Sequence, residues 1–349
     1  MKTKLIRVND QHIDASLMRE AGNIIKEGGL VAFPTETVYG LGGDALNPLS
    51  SEKIYRAKGR PSDNPLIVHI ADMDDLGVIV REIPENAEKL AKTFWPGPLT
   101  MIFQKSNRVP YETTGGLDTV AVRMPMHPVA RELIRAAGGF IAAPSANRSG
   151  RPSPTLAKYV TEDMDGRIDM IIDSGDVEIG LESTIVDLTT EEPTILRPGY
   201  ITKQMLEEVL HEVEEDKTMM RADTGQAPKA PGMKYRHYAP KGDMTLVSGD
   251  AGRVAEYINE QIDFFKKQNK KTGVIGTDDN IAVYRADICK SVGKADDEKM
   301  IARKLYSVLR EMDDEDVEII YAESFGTSGI GQAIMNRLLK AAGHKVISV

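Results

Sequence analysis

The chain has 349 residues, a formal net charge of −9 and one cysteine, Cys289. That length predicts about two domains with a sizeable core, and a single cysteine excludes a disulfide framework or a thiolate zinc cluster. The acidic balance excludes broad, non-specific nucleic-acid binding and confines any anion site to a local patch.

No apolar stretch reaches the ~20 residues that cross a bilayer. Met1-Lys2-Thr3-Lys4 leads into polar residues without an apolar signal core, so a cytoplasmic location is expected. Asp14 predicts the cap of a helix whose Leu17, Met18, Ala21, Ile24 and Ile25 share a face, and Gly28-Gly29 stops it. Leu30–Phe33 reads as a strand. Pro34-Thr35-Glu36-Thr37-Val38-Tyr39-Gly40-Leu41-Gly42-Gly43 follows. Its glycines and hydroxyls read as a turn between strand and helix, or as a loop that lets backbone approach a ligand. Gly40-x-Gly42 lacks the later glycine of a dinucleotide fingerprint.

A helix carrying Ile54, Tyr55 and Ala57 runs into Lys58-Gly59-Arg60-Pro61-Ser62-Asp63-Asn64-Pro65. With Lys53 and Arg56 this is a dense basic run. Pro61 and Pro65 predict a stiff, extended loop before the buried strand Leu66-Ile67-Val68-His69-Ile70. Two cations spaced by one residue on a rigid loop suit a polyphosphate. A solvated basic turn is the alternative.

Pro84–Thr93 reads as a helix, and Trp95-Pro96-Gly97-Pro98 as a rigid corner. Leu99–Gln104 and Thr119–Met124 read as strands, with Thr119, Ala121 and Arg123 on one face. Arg123 is then a satisfied edge cation or a carboxylate clamp. His127–Ala137 is helical, and Phe140–Ala143 is a strand ending in the hydroxyl-rich loop Pro144-Ser145-Ala146-Asn147-Arg148-Ser149-Gly150, with Ser153 just beyond. Asp169–Asp173, Glu182–Asp187 and Thr194–Gly199 carry further strands, and Thr202–His211 a closing helix. The first domain therefore holds about seven or eight strands and four or five helices, an α/β or α+β arrangement.

The stretch 212–243 reads as a linker, broken by prolines and glycines. Lys234, Tyr235, Arg236, His237 and Tyr238 interleave cations with aromatics, which suits an arm over a nucleotide or a plain tether. From 244 onward strands alternate with helices, as in a small parallel three-layer, Rossmann-like sheet. Gly326-Thr327-Ser328-Gly329-Ile330-Gly331 opens the last helix, with too little chain after it for an acidic ribose-binding residue. It reads as a tight turn.

Four stretches combine: Lys58-Gly59-Arg60-Pro61 with Asn64-Pro65-Leu66; Pro34–Leu41; Pro144-Ser145-Ala146-Asn147 with Ser149-Gly150; and Glu182–Asp187 with Leu196-Arg197-Pro198-Gly199. Together they resemble the threonylcarbamoyl-AMP synthases, whose catalytic part is a YrdC-like domain. Pro231-Gly232-Met233-Lys234-Tyr235 with His237-Tyr238-Ala239-Pro240 resembles the linker of the long, two-domain form. The resemblance implies an α/β fold: a YrdC-like twisted mixed sheet flanked by helices over 1–211, a linker and lid over 212–243, and the Rossmann-like domain over 244–349.

It also implies a reaction. L-threonine, bicarbonate or CO2, and ATP give threonylcarbamoyl-adenylate and pyrophosphate, for modification of tRNA beside the anticodon. By motif match, Lys58 and Arg60 are the catalytic cations. Arg60, Asn64, Thr119, Ser145, Ser153, Arg197, Tyr235 and Tyr238 hold ATP. Thr35, His69, Arg123, Ser183 and the backbone of Ala143 surround threonine. Asn147 orients its loop, and Glu36 is a base, a magnesium partner or a structural carboxylate. Magnesium is expected with ATP, held by phosphates and waters rather than a protein cage. Transient contact with the tRNA threonylcarbamoyl-transfer machinery is expected, and direct tRNA binding is weak or absent. A carbamoyltransferase of hydrogenase maturation is opposed by the single cysteine. A non-catalytic double-stranded RNA or tRNA binder is the other alternative.

Overall fold

The structure is a computed structural model that describes residues 2–217 and 237–349. The chain divides into two units. The first comprises Met1–Ser149, Ser153–Glu178 and Glu182–Tyr235; the second comprises Gly150–Pro152, Ile179–Leu181 and Arg236–Val349.

The first unit begins β1 (Lys4–Arg7), α1 (Ala15–Lys26), β2 (Val31–Phe33), β3 (Gly40–Asp44), α2 (Pro48–Lys58), β4 (Ile67–His69), α3 (Leu76–Ile79) and α4 (Glu85–Phe94). It continues β5 (Leu99–Gln104), α5 (Tyr111–Thr114), β6 (Thr119–Arg123), α6 (Pro128–Ala136), β7 (Ile141–Ala143), α7 (Ala157–Met164), β8 (Met170–Asp173), β9 (Thr184–Asp187), β10 (Thr194–Arg197), α8 (Lys203–Leu210) and β11 (Glu214–Glu215). The caps explain the helix starts. The Asp14 carboxylate accepts the Ser16 N–H at 2.7 Å. Asn47 caps α2 ahead of Pro48, and Gly59 ends that helix at φ 62°.

The strands form one mixed sheet of 11, in the order β1-β8-β2-β3-β7-β4-β6-β5-β9-β10-β11. One face, with Ala32, Leu41, Val68, Met101, Val120, Val122 and Val186, packs on α2, α4, α7 and α8 through Ile54, Leu90, Val160 and Leu206. On the other face α1 and α6 cover Val31, Phe33, Ile141 and Met170 with Met18, Ile25, Val129 and Leu133.

Two expectations are corrected. The glycine-rich segment is not only a turn: Gly40–Asp44 is a strand, paired with β2 and β7. Its glycines make room for neighbours, because a Cβ on Gly42 would lie 2.8 Å from Ile141 and 2.9 Å from Phe33. The basic loop is a turn rather than extended, with the Asn64 N–H reaching the Pro61 carbonyl at 3.4 Å. The strand and helix count is also higher than expected, since β1, α7 and β11 carry little sequence signal.

The second unit runs β12 (Asp243–Ser248), α9 (Ala251–Lys266), β13 (Thr272–Gly276), β14 (Ile288–Ser291), α10 (Glu298–Asp314), β15 (Ile319–Glu323), α11 (Ile330–Ala341) and β16 (Val346–Ser348). Its 5 strands are all parallel, in the order β14-β13-β15-β12-β16. Val254, Ile258 and Ile262 of α9 pack on Val247, Val274 and Tyr321. Two short segments belong here although the sequence places them in the first domain. Arg310, 1% exposed, donates to the Pro152 carbonyl from Nε at 3.1 Å and Nη2 at 2.6 Å. Gly180, at φ 83°, has room for no side chain: a Cβ would lie 2.5 Å from the Arg303 Cα.

Candidate active site

The site is a row across the first unit's sheet. Register sets His69 beside Arg123, Arg123 beside Thr100, Thr100 beside Ile185, and Ile185 beside Arg197. The next row carries Ala143, Ile67, Ala121 and Ile102. Ile67, Ile102, Ala121, Ile185 and Leu196 form a small apolar cluster on this face, and no helix residue belongs to it.

Arg197 reaches the row through an irregularity. By a period of two, Ile195 and Arg197 share a face. The register shifts between them, so Ile195 stands opposite Val186 but Arg197 opposite Ile185. Ile195 joins the helix-covered core while Leu196 joins the apolar cluster. The bulge re-aims the guanidinium.

One end of the row is built on Arg123, which is 4% exposed. Its Nη2 donates to Glu36 at 2.6 Å, its Nη1 to Thr37 Oγ1 at 2.9 Å and its Nε to the Gly97 carbonyl at 3.3 Å. Two of the five guanidinium N–H protons remain for a ligand. Both Glu36 oxygens are engaged, the second by the Met126 N–H at 3.2 Å, so Glu36 aims Arg123. Thr35 is tied in beside it: its hydroxyl bonds Thr37 Oγ1 at 2.9 Å and the Val38 carbonyl at 2.7 Å. The His69 Nδ1 donates to the Ile67 carbonyl at 3.0 Å. Burial, helped by the Arg123 charge, holds the His69 pKa down at about 3, so the ring is neutral.

The other end is built on Arg197. Its Nε and Nη2 donate to the Ser183 carbonyl at 3.0 and 2.9 Å, and Nη2 also to Ser183 Oγ at 3.1 Å. Ser183 Oγ bonds Thr100 Oγ1 at 2.7 Å. Ser153 donates to Glu182 at 2.6 Å. Thr119 opens β6 half-buried, two residues from Ala121 on the same face.

The basic run splits. Lys58, expected on the triphosphate, is 3% exposed and spans the carbonyls of Ser145 and Asn147, at 2.5 Å each. The Ser145 hydroxyl donates to Asn147 Oδ1. Lys58 is therefore a brace for the 145–147 loop. Arg60 stays half-buried, with Nη2 on the Pro65 carbonyl at 3.0 Å. Asn64 is 0% exposed, yet neither atom of its amide has a partner among the described residues. Lys53 and Arg56 are exposed, and with Arg167 they border a separate cavity of about 370 Å³. Tyr235 lies outside the described residues. Tyr238, expected on the nucleotide, is 6% exposed and packs within the second unit, 5.2 Å from Tyr306.

Sequence reasoning missed Thr100, a single threonine in apolar surroundings with no spacing signal; Thr37 counted among the hydroxyls of its loop, but its bond to Arg123 had no sequence signal. Among the described residues no three His, Cys, Asp or Glu side chains gather as a metal cage.

Fold and site define a class: an α/β enzyme with two arginines and a set of hydroxyls on one sheet row. Residues 23–199 match the Sua5_yciO_yrdC family, described as "Telomere recombination". Residues 201–343 match the family described as "Threonylcarbamoyl-AMP synthase, C-terminal domain". The chain is 49% identical to the threonylcarbamoyl-AMP synthase of Pyrococcus abyssi over 99% of its length and 100% of the relative's. It is 46% identical to that of Bacillus subtilis, again over 99% and 100%. A crystal structure of P. abyssi Sua5 complexed with L-threonine is similar at TM-score 0.94 and 49% identity, covering 99% and 100% of the two chains. The chain belongs to the threonylcarbamoyl-AMP synthase family. These matches support the enzyme and lend nothing to the alternative of a non-catalytic RNA binder.

Proposed function

We propose that this sheet row joins L-threonine, bicarbonate or CO2, and ATP into threonylcarbamoyl-AMP and pyrophosphate. The carrying observation is the row itself, with Arg123 towards one end and Arg197 at the other, which supports one arginine for the amino acid and one for the nucleotide. Arg123 clamps threonine's carboxylate with its two remaining N–H protons. Thr35, His69, Ser183 and the Ala143 backbone complete that pocket, with His69 neutral and so free of charge repulsion against Arg123. Arg197, Arg60, Ser145, Ser153 and Thr119 hold ATP, and the partnerless Asn64 amide supports a ligand contact there, since buried polar groups are normally paired.

Threonine's neutral amine adds to CO2 and loses a proton, giving a carbamate. A carbamate oxygen attacks the α-phosphorus, and the bond to pyrophosphate breaks. Negative charge gathers at phosphorus, so fixed cations and positioning carry the catalysis. Magnesium is proposed as ATP's companion, held by phosphate oxygens and water. The cytoplasm is the proposed location, and the tRNA threonylcarbamoyl-transfer machinery the proposed recipient of the product. No helix among the described residues is long and apolar enough to cross a membrane.

The test is mass spectrometry of fresh reaction mixtures supplied with 13C-bicarbonate. The expected product is threonylcarbamoyl-AMP heavier by the one labelled carbon. Unlabelled product, or none, overturns the proposal.

A further inference from the structure

Thr100 stands in the row between Arg123 and Arg197 and has no role in the account above. It is 0% exposed, and its partner Ser183 is 1% exposed. The 2.7 Å contact with Ser183 Oγ is the one hydrogen bond of the Thr100 hydroxyl among the described residues.

Each hydroxyl has one proton and two lone pairs. Arg197 Nη2, which can only donate, already fills one lone pair of Ser183 Oγ at 3.1 Å. Suppose Ser183 donated to Thr100. The Thr100 proton would then stay buried without an acceptor even with the site filled, which is unfavourable, whereas a leftover Ser183 proton can be met by a bound acceptor. Suppose instead that Thr100 donates. Both Ser183 lone pairs are then full, and one polarised O–H proton is left for the site.

We propose that Thr100 is a positioning residue that, with Arg197, makes Ser183 a hydroxyl able only to donate. The atom of the substrate facing Ser183 is then an acceptor oxygen, from the carboxylate or carbamate of the amino acid, and never its ammonium group. This orientation leaves the amine free to capture CO2. The inference rests on the reading that Ser183 borders the threonine pocket.

Calorimetric binding of L-threonine tests it, in the wild type, Thr100→Val, Thr100→Ser, Ser183→Ala and the Thr100→Val/Ser183→Ala double variant. Thr100→Val keeps the shape and removes the donor. It should weaken threonine about tenfold and leave ATP binding unchanged. Thr100→Ser should restore binding to within twofold, and the double variant should bind no worse than Ser183→Ala. Should the valine variant lose its melting transition, Thr100→Ala carries the same expectation. Unchanged or tighter threonine binding in Thr100→Val overturns the inference, because a freed lone pair would welcome an ammonium. So does a double variant whose losses add. A wild type that binds no threonine refutes the reading of the pocket instead.

Discussion

Asn64 is fully buried, with an amide that has no partner among the described residues. Replacing an unpaired buried amide by a same-shaped apolar group is nearly neutral or stabilising. Asn64→Leu should therefore keep or raise the melting temperature while raising the KM for ATP about tenfold or more, the loss of one hydrogen bond to a charged ligand. A variant that melts lower with ATP use intact would show the amide serves the fold. His69 gives a pH prediction. Its folded pKa of about 3 lies below the unfolded value near 6.5. Between the two, the unfolded chain binds a proton that the folded chain refuses, so stability falls as pH drops from about 6.5 towards 3. Urea unfolding from pH 7 to pH 4 should show a shallower loss for His69→Phe than for the wild type. At this scale residue type was a good guide: Arg123, His69 and Arg197 share one row. The state of each group was not legible. Nothing local to Glu36 says that it pairs with an arginine more than eighty positions away.

The C-terminal end of α2 separates the cations of the basic run. Lys58 braces the loop after β7, whereas Gly59 in its left-handed conformation turns Arg60 out of the helix. Lys58→Met strips the Ser145 and Asn147 carbonyls of their donor and should lower stability by about 1–3 kcal/mol. Arg60→Ala removes donors that water can replace at a half-buried position, so it should melt closer to the wild type than Lys58→Met and lose product formation. Denaturant melts beside turnover assays separate the two, and equal melts would contradict the brace. The run of charge was plain in the sequence, but its division between brace, site and outer surface depends on helical phase and on the partner loop. β10 teaches the same lesson. A period of two groups Arg197 with core-facing Ile195, and only the bulge moves it to the row.

Across the whole molecule, the two-unit α/β organisation was legible from the alternation of strands and helices; most of the expected linker and lid over 212–243 lies outside the described residues. The assignment of Gly150–Pro152 and Ile179–Leu181 to the second unit was not. It depends on Arg310 and on the fit of Gly180, which no local pattern announces. A chain ending at Lys217 lacks those partners. It should be cut within 148–153 and 178–183 much faster than the full chain during limited proteolysis; equal cutting rates would contradict this division.

If one row of strands couples an amino acid to a nucleotide's α-phosphoryl group, pyrophosphate leaves only when both are bound. Pyrophosphate release measured with ATP, L-threonine and bicarbonate present, and with each omitted in turn, tests it most directly. Release is expected only from the complete mixture. Release that persists at full rate without threonine would contradict it.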